Sequence, residues 1–242
     1  MTLLLIVAAA LWGAAAGALL PRAAYRFSAP AGEAWREKCP GGHPVKGWLG
    51  RGRCAQCADT PSYGPSVALL TTVTALVCAA LAAATGTRPE IGVWLLLAPL
   101  GVLLAVVDLR VQRLPDPLTL PLAGAALGLL GVISFVPEHN GEWLMALYGA
   151  LALGGGYLVL FLINPAGMGF GDVKLALGIG AVLGWYGWPT VMLGTFAGFL
   201  LGALYGGALV VARKAGRKTA IPFGPFLITG AFLGVLIGAY AA

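Results

Sequence analysis

Long apolar runs separated by short polar stretches dominate the chain. Eight of these runs carry at most one charged side chain, and most are close to the ~20 residues that an α-helix needs to cross the hydrocarbon core of a bilayer. Backbone groups in lipid must be hydrogen-bonded within their own segment, so each run is predicted to be a helix. The predicted spans are Thr2–Leu20, Val67–Ala84, Ile91–Val107, Leu118–Phe135, Trp143–Ile163, Val173–Trp185, Pro189–Val211 and Phe226–Ala241.

The sixth predicted span is too short for a full crossing. As a helix, Val173–Trp185 would cover roughly 20 Å of a core about 30 Å thick, at ~1.5 Å per residue. We therefore expect either a locally thin bilayer at this helix or an acidic neighbour, Asp172, that sits below the level of the headgroups.

Composition agrees with a membrane protein. Only 10% of the 242 residues are charged and 59% are hydrophobic, whereas a soluble domain has about 25% charged residues. These values exclude a disordered chain and leave too few polar side chains to cover a water-soluble globule. The predicted fold is an all-α polytopic membrane protein with about eight transmembrane helices. We expect a first helix over 1–20, a small loop domain over 21–66 and a seven-helix core over 67–242.

The basic residues predict the orientation of the chain. Fourteen of the 15 Lys and Arg residues fall on one side of the predicted spans, 13 of them in loops and Lys174 at the start of the sixth span, and Arg88 is the one on the other side. Basic loops remain in the cytoplasm, which predicts a cytoplasmic loop domain and an N-terminus outside. Topology thus accounts for the formal charge of +6, and membrane lipid, with no nucleic acid, is the expected environment.

Two acidic residues lie at the predicted cytoplasmic ends of spans. Asp108 follows the third span, and Asp172 opens the sixth after a glycine-rich loop. Ionisable groups at such positions are functional candidates. A pair of carboxyls that share one proton can activate a water and protonate a leaving group, as in aspartic proteases. Two alternatives stay open: a transporter that binds a cation or proton at these acids, and simple ion pairs with Arg110, Arg113 or Lys174.

Two further charged residues near these ends have a simpler interpretation. Asp116 lies between two prolines, where Asp is a good N-cap before a proline at the first helical position, so it is predicted to cap the fourth helix. Lys174 is expected to extend to the inner headgroups. An electrostatic role for Lys174 beside the two aspartates is the alternative.

The long loop contains a candidate metal site. Cys54 and Cys57 form a CxxC pair, and Cys39 with His43 adds a thiol and an imidazole. A Cys₃His set is a normal tetrahedral zinc site, and a stable disulfide is not expected in the cytoplasm. A structural zinc is therefore predicted, with reduced free thiols as the alternative. Cys78, inside the second span, is expected to be an apolar packing residue.

The motifs around the two aspartates resemble those of the bacterial type IV prepilin peptidases, which are GxGD intramembrane aspartic proteases. Gly169-Phe170-Gly171-Asp172 matches the GxGD motif and continues as Val173-Lys174-Leu175. Asp108-Leu109-Arg110 is similar to the first aspartate segment of the family, and Ile221-Pro222-Phe223-Gly224-Pro225-Phe226 to its motif before the last helix. The resemblance covers nearly the whole chain in the same order.

The resemblance implies a function and a location. Asp108 and Asp172 would be catalytic, with Gly169, Phe170 and Gly171 in the loop that the substrate approaches and Lys174 as electrostatic support. The enzyme would cleave the basic leader from prepilin or pseudopilin precursors at the cytoplasmic face of the bacterial inner membrane. No cofactor is needed for proteolysis. Another GxGD protease, acting on signal peptides, is an alternative within the same class.

A second activity of the family is left open by the sequence. Family members also N-methylate the new pilin N-terminus with S-adenosylmethionine, and the loop region is tied to that activity. Here Gly42 stands in place of a cysteine, Ala68 in place of an acid, and Pro21 where the family commonly has Asn. These departures leave N-methyltransferase activity, and hence the use of S-adenosylmethionine, undecided.

Overall fold

The computed structural model describes residues 2–57, 62–165, 167–212 and 221–242. Within these residues it contains eight α-helices and confirms the all-α membrane fold. Seven of them are long and apolar enough to cross a membrane, and α6, with 15 residues, is shorter. The helices are α1 (Thr2–Phe27), α2 (Val67–Thr85), α3 (Ile91–Val111), α4 (Asp116–Ile133), α5 (Trp143–Ile163), α6 (Phe170–Gly184), α7 (Trp188–Val211) and α8 (Gly224–Ala241).

The short helix α6 lies at the centre of a group of helices formed with α4, α5, α7 and α8. It contacts each of these four helices, and ten of its 15 residues are buried. Helices α5 and α6 pack closely because glycines of each helix contact the backbone of the other. A Cβ on Gly149 would strike the carbonyl oxygen of Gly180, and a Cβ on Gly184 would strike that of Met145. Small residues allow such backbone approach in lipid, where apolar burial does not drive helices together.

Helices α1 and α2 form a second close pair that packs on α3. Gly13 and Gly17 of α1 face α2 so tightly that an added Cβ would lie 2.5 Å from the carbonyl oxygens of Thr74 and Leu70. Helix α3 also contacts α4 and α8. It therefore joins the two helix groups and carries Asp108 into the interior between them.

The first helix continues to Phe27, past the predicted end at Leu20. Pro21 lacks an N–H and normally breaks a helix. Here the loop domain replaces the lost hydrogen bonding, because Gly50 donates its N–H to the carbonyl of Leu19 (2.7 Å) and accepts the N–H of Arg22 (2.9 Å). The basic residues that follow Pro21 therefore belong to the helix.

The loop domain folds against the end of α1 through aromatic and cationic side chains. Phe27 packs on Trp35 and Trp48, with ring centroids 5.1 and 4.6 Å apart. Arg113, from the α3–α4 connection, lies over the Trp35 ring and donates to the carbonyl of Pro30 at 2.9 Å. The loop domain and the α3–α4 connection thus meet at one end of the bundle.

Arg88 and Glu90 lie at the opposite end. Arg88 donates to carbonyls of Thr85 in α2 and Ala239 in α8, so it ties two helix ends together. Glu90 is fully buried, 3.8 Å from Arg88 Nε and 3.4 Å from the Tyr186 hydroxyl. Arg88, the basic residue that the sequence places on the other side from the remaining 14, therefore pairs with helix-end carbonyls and with Glu90. Four other basic residues of the charge pattern lie outside the described residues: Arg213, Lys214, Arg217 and Lys218.

Candidate functional site

Asp108 and Asp172 come together at the end of the bundle that carries the loop domain. Asp108 is in the last turn of α3 and Asp172 in the first turn of α6, and both are buried, at 4% and 7% exposure. Leu114 packs between the elements that hold them, since it faces both Gly171 and Gly224. Leu114 thus contacts both the residue before Asp172 and the glycine that binds Asp108.

One backbone N–H holds each carboxyl. Gly224 donates to Asp108 Oδ2 at 3.0 Å, and Gly169 donates to Asp172 Oδ2 at 3.2 Å. Asp172 also lies in the first turn of its helix, where the macrodipole favours negative charge. The result is a pair of fixed, nearly water-free carboxyls, which is the arrangement that proton-sharing acid–base chemistry requires.

The three residues of the predicted substrate-approach loop differ in their surroundings. Gly169 is exposed, and an added Cβ would make ordinary contacts with Asp172 Oδ2 at 3.4 Å and the Gly171 nitrogen at 3.9 Å. Phe170 is exposed and packs on Phe161, with ring centroids 5.3 Å apart. Gly171 is covered instead, because a Cβ there would lie 2.8 Å from Leu114 Cβ. Gly171 thus lets α6 pack on the α3–α4 connection, and Gly169 is the glycine at the open side.

Asp116 is not the helix cap that the sequence predicted. Pro115 occupies the N-cap position, and no side-chain capping hydrogen bond is made there. Asp116 Oδ1 lies 2.6 Å from Lys174 Nζ, so the carboxylate forms an ion pair between α4 and α6. The local sequence around Asp116 does not show that Lys174 of another helix lies nearby, and the carboxylate pairs with that ammonium group instead of capping the helix. Lys174 also lies 4.8 Å from the centre of the Phe170 ring, beside the aspartates.

Sequence reasoning missed two residues at this site. Gly224 fell within a recognised motif, Ile221 to Phe226, and that motif was the available signal. Tyr157 of α5 is buried at 2% exposure and packs on Phe223, the residue before Gly224. It lies in a uniformly apolar stretch, so nothing in the local pattern separates it from a packing residue.

The four predicted metal ligands form one cluster in the loop domain. Ligand atoms of Cys39, His43, Cys54 and Cys57 all lie within 4.8 Å of one another. His43 Nδ1 is 3.3–3.7 Å from the three sulfurs, and the sulfurs of Cys39 and Cys57 are 3.6 Å apart. A tetrahedron with Zn–S of about 2.3 Å and Zn–N of about 2.0 Å has edges of about 3.5–3.8 Å, so the residues fit a zinc ion.

The turn after Cys39 brings His43 into this cluster. Gly42 has φ +82°, in the left-handed region that favours glycine, and donates its N–H to the Cys39 carbonyl at 2.9 Å. The backbone N–H of Cys39 in turn donates to the His43 carbonyl at 2.9 Å. The residue in the place of the missing cysteine therefore serves the turn, and the imidazole one position later completes the set.

The thiols of this cluster cannot all ionise easily by themselves. Burial raises the pKa of the Cys39 thiol, but hydrogen bonds from His43, Cys57 and Cys54 outweigh it and lower that pKa to about 6. Burial, together with hydrogen bonds to Cys39 and Cys54 and their charge, raises the pKa of Cys57 to about 11. A bound cation would relieve this repulsion, because thiolates are the form that binds metal.

Comparison with known proteins gives consistent matches. The sequence model of the type IV leader peptidase family matches residues 95–207. A protein of Aeromonas salmonicida named prepilin leader peptidase/N-methyltransferase is 38% identical over 208 residues, covering 81% of this chain and 66% of that protein. A Pseudomonas aeruginosa protein of the same name is 32% identical over 222 residues, covering 83% of this chain and 71% of that protein.

No solved structure matches the chain, and the chain spans about two thirds of the length of its Aeromonas relatives. The family match includes Asp108 and Asp172, the two carboxyls that the helices bring together. With this match and 32% identity to relatives of which it covers 70–71%, the chain belongs to the type IV leader peptidase family.

Proposed function

We propose that the chain is an intramembrane aspartic endopeptidase whose acid–base pair is Asp108 and Asp172. The observation that carries the proposal is the meeting of these two buried carboxyls, each held by a glycine N–H, at one end of the helix bundle. One carboxylate takes a proton from water while the other, protonated, donates to the peptide carbonyl. Proteolysis by this route needs no cofactor.

The substrates are proposed to be prepilin or pseudopilin precursors, cleaved after their basic leader. This rests on family membership and on the relatives, which are named prepilin leader peptidases. The location proposed is the bacterial inner membrane, with the N-terminus outside and the aspartates facing the cytoplasm. The basic residues of the loop domain and of the α3–α4 connection support it, because they share one end of the bundle with both carboxyls.

Substitution of either aspartate tests the mechanism. Asp108→Asn and Asp172→Asn should each lower leader cleavage in proteoliposomes by at least about 100-fold, because the amide can neither take nor give the proton. The control is Glu138→Gln, a carboxyl-to-amide change in the α4–α5 loop, which should cleave at the wild-type rate. Full processing by either aspartate variant would exclude the mechanism. An ion-accumulating protein that never cleaves would favour a transporter.

N-methylation is a second candidate activity, because the relatives' names include N-methyltransferase. It would need S-adenosylmethionine. Mass spectrometry of the cleaved product, formed with S-adenosylmethionine present, reports the cleavage position and any added methyl group in one spectrum.

A structural zinc in the loop domain is also proposed. The fit of the Cys₃His cluster to a tetrahedral ion supports it, and Cys39, His43, Cys54 and Cys57 would be the ligands. Zinc there would fix the turn that follows Lys38, whose carbonyl accepts the Tyr25 hydroxyl of α1, because a loop with a small core gains stability from metal binding. The ion would have a structural role only.

The two histidines of the chain provide a matched test of the zinc site. Purified wild-type protein should contain about one zinc per chain. His43→Ala should lose most of it and lower the thermal transition of the protein, whereas His139→Ala, at a half-buried residue outside the cluster, should keep the zinc. Elemental analysis and a thermal melt measure both effects. Equal zinc content in His43→Ala and wild type would remove His43 from the ligand set.

A further inference from the structure

The hydroxyl of Tyr157 in α5 is buried and forms no hydrogen bond within the described part of the chain. The side chain is 2% exposed, and its hydroxyl oxygen has no hydrogen-bond partner among the residues that the structure describes. A buried polar group without a partner is costly, so such groups are rare and tend to mark a functional site or a bound water.

The position of Tyr157 places this hydroxyl beside the carboxyl pair. Its ring packs on Phe199 of α7 and Phe223, with centroids 5.9 and 6.3 Å apart, and Phe223 precedes the glycine that holds Asp108. Along α5, Gly154 meets Leu177 and Phe161 meets Phe170, so Tyr157 lies level with the first turns of α6. Asp172 lies in the first of these turns.

Other ionisable groups near this point are already engaged. Lys174 of α6 is paired with Asp116 of α4 at 2.6 Å. Helices α7 and α8 contain no Asp, Glu, Lys, Arg or His, and Tyr205 of α7 packs on Phe226. Asp108 of α3 and Asp172 of α6 are the carboxyls that remain, and Asp172 is the one in the first turn of α6, level with Tyr157.

We propose that Tyr157 is a positioning residue that donates its O–H to the Asp172 carboxylate through one water. This inference rests on the proposed protease function. Each carboxyl accepts one backbone N–H, so the backbone alone does not distinguish them. A further donor to Asp172 favours its ionised form and leaves the shared proton on Asp108. Tyr157 thereby assigns the base to Asp172 and the acid to Asp108.

The assignment gives a balanced hydrolysis. Asp172 takes a proton from water, the remaining hydroxide bonds to the peptide carbonyl carbon, and Asp108 donates its proton to the carbonyl oxygen. The C–N bond then breaks as Asp172 passes its proton to the departing nitrogen. Asp108 recovers a proton from the tetrahedral oxygen as the new carboxyl forms, so the net change is the addition of one water across one peptide bond.

Tyr157→Phe is the direct test, because it keeps the ring packing and removes only the donor. We expect kcat for leader cleavage in proteoliposomes to fall about 10- to 100-fold, as for loss of a hydrogen bond to a charged group. KM should change less than about twofold, since substrate binding is untouched. The acid limb of the kcat profile should shift to higher pH, because the ionised carboxylate has lost a donor. Tyr148→Phe, at an exposed tyrosine of α5, is the control and should match wild type.

Several outcomes would overturn the inference while leaving the protease function intact. A Tyr157→Phe enzyme with wild-type kcat and pH profile would do so, as would a loss of kcat with no movement of the acid limb. Should that variant accumulate poorly, 3-fluorotyrosine at position 157 provides a second test: its more acidic phenol should move the acid limb to lower pH, and an unmoved limb contradicts the proposal. Failure of wild-type protein to cleave any prepilin would instead refute the protease function.

Discussion

At the scale of single residues, glycines hold the carboxyl pair in place. Gly169 and Gly224 supply the two N–H groups, and Gly171 lets α6 approach Leu114. Among these glycines, Gly224 is the one at which a side chain would collide with a carboxyl of the pair, because a Cβ there would lie 2.8 Å from Asp108 Oδ2. The side chain that must move to relieve that contact is the proposed acid itself.

Gly224→Ala should therefore damage cleavage more than stability. We expect leader cleavage to fall at least about tenfold, because a displaced Asp108 loses its hydrogen bond and its alignment. The protein should still accumulate in membranes, since the end of one side chain can move. Gly156→Ala, whose added methyl meets nothing within 4 Å, is the control. Cleavage rates and protein levels of the two variants, measured together, check the prediction, and a wild-type rate for Gly224→Ala contradicts it.

The residue scale is also where sequence reasoning was least complete. The motifs around Asp108 and Asp172 and the cysteine spacing singled out residues that the structure brings together. Gly224 and Tyr157 act through contacts with distant helices, and no local pattern reports such contacts. Asp116 was misassigned for the same reason, because its partner Lys174 comes from another helix.

At the scale of helices, backbone contacts define the close pairs. Three successive glycines of α5 show how specific this is. A Cβ on Gly154 would strike the Leu177 side chain, whereas Gly155 and Gly156 face open space. Five residues earlier, Gly149 also meets α6, but it meets the backbone of that helix, which cannot move aside. The many glycines of the sequence therefore divide into packed and unpacked positions that composition alone does not separate.

Gly149→Ala should loosen the α5–α6 pair. Overpacking of this kind costs about 1–3 kcal/mol, and here the obstructing atoms are backbone. Gly156→Ala, in the same helix, should be neutral or stabilising by up to about 1 kcal/mol, because alanine favours a helix over glycine. Unfolding titrations in mixed detergent measure the difference. Equal stability of the two variants would show that the glycine contact does not hold the pair.

Helix existence was predictable because each span is a long apolar run, and the ends were less so. Helix α1 extends past Pro21 because the loop domain replaces the missing hydrogen bonds. Helix α3 continues to Val111, which puts Asp108 inside its last turn. Both extensions depend on tertiary partners of polar residues, whereas the predicted ends followed polarity along the chain.

At the scale of the whole molecule, the α1–α2 pair and the group of α4 to α8 meet at α3. The loop domain, the α3–α4 connection and both carboxyls gather at that end, while Arg88 and Glu90 fasten the other. The basic-residue pattern predicted this division without any knowledge of packing. It could not predict that α6 lies at the centre, because its pattern resembles those of helices that face lipid.

The central position of the short α6 has a consequence for the supply of water. A helix of 15 residues rises about 22 Å, well under the ~30 Å hydrocarbon thickness. Protein, not lipid, surrounds it, and irregular backbone is tolerated at membrane depth where protein buries it or where it lines a water-filled recess. Residues 164, 165, 167 and 169 are exposed, so we expect the second case. Such a recess would bring solvent to the rim of the buried carboxyl pair, where hydrolysis consumes one water molecule per cut.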